Sequence, residues 1–477
     1  MTADDPRPVI AVAGAAGFIG AALAPLIGAP YVRRGISRTE HAPGTGGYDS
    51  WVSCDLFSLR DADKALAGAT RAVYLVHSMM PSARLTQGDF EDMDLVCADN
   101  FARAARSAGV ERIVYLGGLL PPGDEADLSR HLASRREVEL TLAAYGLPVI
   151  TLRAGLVIGA GGSSWQILSR LVRRLPIMAC PRWTRTMTQP IALADAVAII
   201  AACTLRDDVS AGTYDIGGPD VLSYQAMMRA TARAMGLRRP MISVPLLTIG
   251  LSRLWVSTVT RAPKELVAPL IESLEHTMLA RDRALQVQLA IPGRSLAVAL
   301  AETLAAEKLA AAPARPPPSC RRGKRRRPRQ PARVRSVQRL ILPVGRDAAW
   351  VADEYMRWLP TWLIGRVLRV VVTTERCRFF APRSKRPLLE LTRSVDRSSP
   401  DRVLFYITGG LLVREGSGRA RLEFREVLDR RYVIAAIHDY EPSLPWIIYS
   451  CSQALVHLAV MHAFKRHLRR LAQPAMT

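Results

Sequence analysis

Hydrophobic positions in the first third of the chain fall into short β-branched runs separated by alanine-rich stretches of helical spacing. The runs are Val9 to Val12, Tyr31 to Ile36, Trp51 to Cys54, Ala72 to Val76, Arg112 to Leu116 and Val149 to Leu152. Between them, Glu91 to Ser107 and Ser129 to Ala144 read as helices. Strands covered on both faces are apolar throughout, and their alternation with helices predicts βαβ units. The expected fold is therefore α/β: a Rossmann-type doubly wound parallel sheet. From Ala160 to Ala312 the pattern is mostly helical, broken by a turn at Ile216-Gly217-Gly218-Pro219. That suits a small substrate lobe laid against the carboxyl ends of the strands.

Pro313 to Ala332 alternates prolines with Arg321, Arg322, Lys324 to Arg327 and Arg329, a composition that buries nothing and reads as an extended linker. A separate α+β domain is expected from Val334, with strand-like runs at Val367 to Thr373, Leu404 to Thr408, Ala420 to Val427 and Tyr432 to His438. The expected division is 8–312, linker 313–333 and 334–473. The last helical segment, Trp446 to Leu471, is uncharged as far as Phe464 and then runs into Lys465-Arg466-His467-Leu468-Arg469-Arg470. Its length and basic flank fit a membrane span. The polar stripe of Ser450, Gln453 and His457 at helical spacing fits a helix packed on a sheet better.

The length of 477 residues implies two or three domains, and 49% hydrophobic residues imply folded cores. A net charge of +23 comes largely from arginine spread along the whole chain. It implies weak contact with an anionic membrane surface and no specific nucleic-acid partner. The seven cysteines stand singly, so neither a metal site nor a disulfide framework is expected. Met1 to Pro8 is acidic and proline-containing, unlike a leader, so a cytoplasmic protein is expected, free or peripheral to the inner face of a membrane.

Gly14-Ala15-Ala16-Gly17-Phe18-Ile19-Gly20 follows the first strand and opens a helix. Glycines there permit a tight turn and close backbone approach, and the helix start offers free N–H groups to a pyrophosphate. The second strand ends in Arg33-Arg34-Gly35-Ile36-Ser37-Arg38, with no acid before Glu40. An acid at this place binds the ribose of NAD(H), whereas an arginine accommodates the 2′-phosphate of NADP(H). Ser37 and Arg38 thus predict a preference for NADP(H), with NAD(H) as the lesser partner. Asp55 and Leu56 are placed to meet the adenine, and Val76, His77 and Ser78 the nicotinamide ribose.

Taken together, these pieces resemble the atypical short-chain dehydrogenase/reductases, most of all the NmrA-like, YbjT-like branch. The resemblance is carried by Gly14 to Gly20, Tyr74-Leu75-Val76-His77-Ser78-Met79, and Leu152-Arg153-Ala154-Gly155-Leu156-Val157-Ile158-Gly159. Pro181-Arg182-Trp183, Gln189-Pro190-Ile191 and Tyr214 to Tyr224 extend it over roughly the first 300 residues. The part after Val334 is similar to an uncharacterised domain often fused to such proteins, marked by Leu404 to Gly410, Leu422 to Glu426 and Ala435 to Asp439. A helix-grip, StAR-like shape is the expectation for it.

The resemblance implies catalysis by Tyr-x-x-x-Lys with an upstream serine, and this chain lacks all three. Gly117-Gly118 stands where the serine is expected, and His131 and Arg135 stand where the tyrosine and lysine are expected. His131 is the candidate general acid near neutral pH, and Arg135 the candidate ribose anchor. Three functions remain open on the sequence. One is an NADPH-dependent oxidoreductase acting on a small or lipophilic carbonyl or quinone-like substrate. Another is a non-catalytic NADP(H)-binding redox sensor or scaffold, and the third is a peripheral lipid-binding protein using its C-terminal domain.

Overall fold

The computed structural model describes residues 7–78, 85–124, 127–244, 249–261, 271–311, 334–362, 369–373, 375–414 and 420–472. They divide into two compact units, one of residues 1–79 and 97–321, the other of residues 80–96 and 322–477.

The first unit is built on seven parallel strands: β1 (Val9–Ala13), β2 (Val32–Ser37), β3 (Ser50–Ser53), β4 (Arg71–Tyr74), β6 (Arg112–Gly118), β7 (Val149–Ala154) and β12 (Gly212–Ile216). Their order across the sheet is β12-β7-β6-β4-β1-β2-β3, so the chain reverses direction beside β1. Crossovers on either side of that reversal open a crevice at the carboxyl end of β1, the place where such sheets bind ligands. One face is covered by α1 (Phe18–Leu23) and α6 (Leu193–Leu205), where Leu23, Ile199 and Ile200 close over Ile10, Val12, Val73, Val114 and Ile150. Ser58 caps α2 (Leu59–Leu66) by accepting from the Asp61 amide, and Ser129 caps α4 (Arg130–Ala143) through the Leu132 amide.

The lobe after β7 is held by three small pairs. β8 (Val157–Ile158) runs parallel to β11 (Ile191–Ala192), β9 (Met178–Cys180) parallel to β14 (Met241–Ser243), and β10 (Met187–Thr188) antiparallel to β13 (Leu222–Ser223). Helices α5 (Ser163–Arg174), α7 (Tyr224–Ala234) and α8 (Ile249–Thr260) surround an apolar core that includes Trp165, Val172, Met227 and Leu300.

The second unit is an α+β layer. Its sheet has the order β16-β17-β18-β19-β20-β21-β15-β5. The strands are β5 (Leu85–Gln87), β15 (Val334–Ile341), β16 (Arg369–Val372), β17 (Arg376–Phe380), β18 (Pro387–Arg393), β19 (Arg402–Gly409), β20 (Arg421–Val427) and β21 (Tyr432–Tyr440). Every pairing is antiparallel except that of β5 with β15. The helix Ala348–Trp358 and the C-terminal helix Gln453–Ala472 pack on one face, where Tyr355, Trp358, Phe405, Phe424 and Phe464 fill the space between layers.

Two expectations change. A contiguous domain 8–312 does not describe the first unit, because residues 80–96 leave it: β5 adds to the second sheet, Leu85 pairing with Val334. The closing helix is two helices, Trp446–Cys451 and Gln453–Ala472, broken at Ser452 (φ −129°, ψ −83°). The expected linker 313–333 and Met79 lie outside the described residues.

Candidate functional site

The crevice holds a cavity of about 380 Å³. One end is the glycine loop between β1 and α1. Gly14 turns the chain at φ +85°, and a Cβ there would lie 3.1 Å from the Leu75 carbonyl oxygen. A Cβ on Gly20 would meet the Gly14 carbonyl oxygen at 2.5 Å and the Ala15 Cα at 2.6 Å, both backbone. The Gly17 amide donates to the Gly14 carbonyl at 2.9 Å, which closes the turn and leaves the first-turn amides of α1 without intrahelical acceptors. Beneath the loop, the buried Tyr48 hydroxyl donates to the Gly20 carbonyl at 2.6 Å. Sequence reasoning did not single out Tyr48, since a lone tyrosine in a polar stretch carries no spacing signal.

The Phe18 ring packs on the 159–162 turn. A Cβ on Gly159 would sit 2.9 Å from Phe18 Cζ, and one on Gly162 2.9 Å from Phe18 Cε1. This ties the glycine loop to the turn that follows β8.

Of the expected cofactor residues, Gly14, Gly17, Phe18, Ile19, Gly20, His77 and Arg135 line this cavity together with His131. Ala16, Ser37, Arg38, Asp55, Leu56, Val76 and Ser78 do not; Leu75 lines it where Val76 was expected. The β2 and β3 ends nevertheless adjoin the loop: the Gly14 amide donates to the Ile36 carbonyl and the Cys54 amide to the Ser37 carbonyl. Three arginines at β2 differ in what they do. Arg33 holds Asp49 through Nε at 2.9 Å and Nη2 at 2.7 Å, a contact that pushes the Asp49 carboxyl down to about 2. Arg34 donates to the Ala65 and Ala67 carbonyls at the end of α2. Arg38 is exposed, and its guanidinium meets no partner among the described residues. The Ser37 hydroxyl lies within 3.1 Å of Thr39 Oγ1 and 3.3 Å of His41 Nε2. Asp55 Oδ1 accepts from the Phe57 amide at 3.2 Å, and Leu56 is buried, its carbonyl accepting from Asn100 at 2.8 Å.

Past the loop, Gly117 and Gly118 at the end of β6 stand beside His131 and Arg135 of α4. At Gly118 a Cβ would be 3.6 Å from Leu132 and 3.8 Å from Arg135, ordinary contact distances, so a side chain is lacking there without being forbidden. The expectation that His131 titrates near neutral pH is corrected. Burial, reinforced by Arg135 and His77, pushes its imidazole down to about 3. Burial and Arg135 do the same to His77, also to about 3. By surface area His77 is an exposed residue, and it lines the cavity. Both rings are therefore neutral hydrogen-bonding groups at physiological pH, and the Arg135 guanidinium remains a fixed cation.

The far half is apolar: Ile167, Leu168 and Leu171 of α5, Tyr224, Met227 and Met228 of α7, with Trp183, Ile271 and Leu274. Their i, i+3, i+4 spacing is the signal that could have found them, but it also marks any core-facing helix stripe. Tyr224 does not replace the missing tyrosine. Burial raises its hydroxyl to about 12, opposite to the direction a proton donor requires.

In the second unit, His438 and Asp439 face different partners. His438 Nε2 lies 3.2 Å from Glu423, and burial, with Arg421, pushes its ring down to about 4. Asp439 pairs with Arg421 at 3.1 Å. Among the described residues no cluster of His, Cys, Asp and Glu could hold a metal.

Residues 10–179 match the model of the NAD dependent epimerase/dehydratase family. A stretch of 146 residues, 30% of this chain, is 30% identical to the auxiliary protein GraX of Staphylococcus aureus (strain NCTC 8325 / PS 47). The chain spans 43% of that relative's length. Among solved structures, an NADPH-dependent quinone oxidoreductase from Escherichia coli, complexed with NADPH, aligns over 62% of this chain and 99% of its own at 16% identity and a TM-score of 0.49. A nucleoside-diphosphate-sugar epimerase from Staphylococcus aureus aligns over 61% and 99% at 16% identity and a TM-score of 0.48.

Proposed function

From an N-terminal unit with the NAD(P)-binding epimerase/dehydratase-type fold, we propose that this protein is an NADPH-dependent oxidoreductase acting on a lipophilic carbonyl or quinone-like substrate. The observation that carries the reading is a single cavity with the glycine loop at one end and an apolar chamber at the other. Among its described lining residues Arg135 is the one permanently charged side chain, it sits at the glycine-loop side, and the uncharged far chamber suits a lipophilic substrate.

When bound, NADPH supplies the hydride; the protein's residues hold and polarise the acceptor. Neutral His131 and His77 each offer one ring N–H to an acceptor oxygen, and Arg135 offsets negative charge developing there. None of the three releases a proton readily. A quinone-like acceptor tolerates this, since its reduced oxygen is a weak base that water can protonate, whereas a simple ketone yields a strongly basic alkoxide. Exposed Arg38, its guanidinium without a partner among the described residues, supports NADP(H) over NAD(H), through a charge-assisted contact to the 2′-phosphate. NAD(H) fits the same loop more weakly.

The test is NADPH oxidation with naphthoquinones and with simple aldehydes, alongside calorimetry of NADPH and NADH. Quinone-dependent oxidation with tighter NADPH binding is the expected result. Tight NADPH binding without turnover of any acceptor would select the second reading, a non-catalytic NADP(H)-binding sensor or scaffold, which the missing Ser, Tyr and Lys favour.

A further inference from the structure

The C-terminal helices present two unlike faces. The inward face of Trp446–Cys451 and Gln453–Ala472 is core: Tyr449, Ala454, Met461, Phe464 and Leu468 are all at most 4% exposed. Polar bonds pin the same side to the sheet, Gln453 Nε2 donating to the Tyr440 hydroxyl at 2.6 Å and His457 Nε2 lying 2.9 Å from Ser336 Oγ. The outward face is apolar at its start, with Ile447 76%, Ile448 53%, Leu455 57% and Val456 48% exposed. Leu411, 52% exposed, lies on the loop tied to this start by the Ser443 hydroxyl. Three turns on, the same face becomes basic, with Arg466, Arg469 and Arg470 exposed. From 446 to 472 the sequence contains no acidic residue.

We propose that this face docks the protein on an anionic lipid surface, with the helices lying in the plane of the interface. Isoleucine, leucine and valine side chains enter the boundary between headgroups and acyl chains, while the arginines meet lipid phosphates. By length and composition alone the segment is apolar enough to cross a bilayer. Crossing, however, would pull Phe464 and Met461 out of the core and break the Gln453 and His457 bonds. A second copy of the chain is the poorer occupant. Side by side in parallel, the two faces would set arginines against arginines, and antiparallel they would set arginines on aliphatic surface.

The test is flotation of the full chain with vesicles of phosphatidylcholine alone or mixed with phosphatidylglycerol. The protein is expected to float with the mixed vesicles and to be released by high salt. Arg466→Gln with Arg469→Gln should weaken binding roughly twenty-fivefold, about fivefold for each charge removed. Ile447→Ser with Leu455→Ser should weaken it at least as much. Unchanged thermal melting and NADPH affinity in both double variants would show that they fold. Equal binding to both vesicle types, no binding to either, or binding indifferent to the variants would overturn the proposal. So would carbonate-resistant binding, which means a span, or a dimer in size-exclusion chromatography that Ile447→Ser abolishes.

Discussion

The two ends of the cavity in the first unit are built under different constraints. At the glycine loop, geometry dictates identity: Gly20 has no room for a Cβ against the backbone of Gly14 and Ala15, and Gly14 holds a positive φ of +85° that strains any other residue. At the β6–α4 end, Gly118 has room for a side chain it does not carry, and His131 and Arg135 line the cavity beside it. A dinucleotide is gripped chiefly through main-chain shape, whereas proton transfer depends on which side chains are present. Binding and chemistry can thus drift apart within one pocket while the fold stays whole.

Gly20→Ala should have the largest effect, forcing a Cβ into the Gly14 carbonyl. We expect loss of measurable NADPH binding by fluorescence titration and a destabilisation of about 1–3 kcal/mol; an unchanged affinity would mean that the loop is not a main-chain grip. Next, Gly118→Ser combined with His131→Tyr and Arg135→Lys should sharpen the contrast by installing the absent proton-transfer set. Carbonyl reduction should rise roughly a hundredfold, the lower range for general acid catalysis. No gain at all would locate the catalytic deficit away from these three positions. Arg38→Ala, outside the cavity, should cost about tenfold in NADPH affinity and leave NADH untouched, read by calorimetry.

A last effect is on acid stability. His77 and His131 have folded pKa values near 3, below the roughly 6.5 of an unfolded histidine, so protons favour the unfolded chain. Their contribution is complete above about pH 6.5 and is lost as pH falls towards 3. The melting temperature should decline across that window, and less steeply in a His77→Gln, His131→Gln variant. An identical slope in the variant would show that the rings are not held neutral.

The same contrast explains what the sequence could reveal. The six early strand runs each coincide with a strand of the parallel sheet; the central ones are nearly continuous apolar runs, as two-sided burial requires, whereas β2 carries Arg33 and Arg34. β12 was hidden in a lobe read as helical, since Gly212 and Asp215 interrupt its apolar pattern. In the second unit β17 and β18 were missed, as Arg376, Arg378 and Glu390 break up their runs. The glycine loop was readable because a backbone requirement writes itself as glycine. The apolar chamber was not, because Leu168 or Met227 looks the same in a core as on a cavity wall. Neither was the loss of proton affinity at His131, which depends on what α4 packs against.

The three residues of β5 carry a consequence for how the chain is made. Leu85 waits for Val334, 249 positions later, before its strand has a partner. Contacts of such sequence separation raise contact order and slow folding. On the ribosome the early strand emerges long before the sheet it completes. A fragment starting at Val334 would lack an edge strand, and one ending before Val334 would carry that strand with nothing to pair. The two halves are thus not interchangeable modules: splitting, swapping or grafting either one just before Val334 would cut through a sheet.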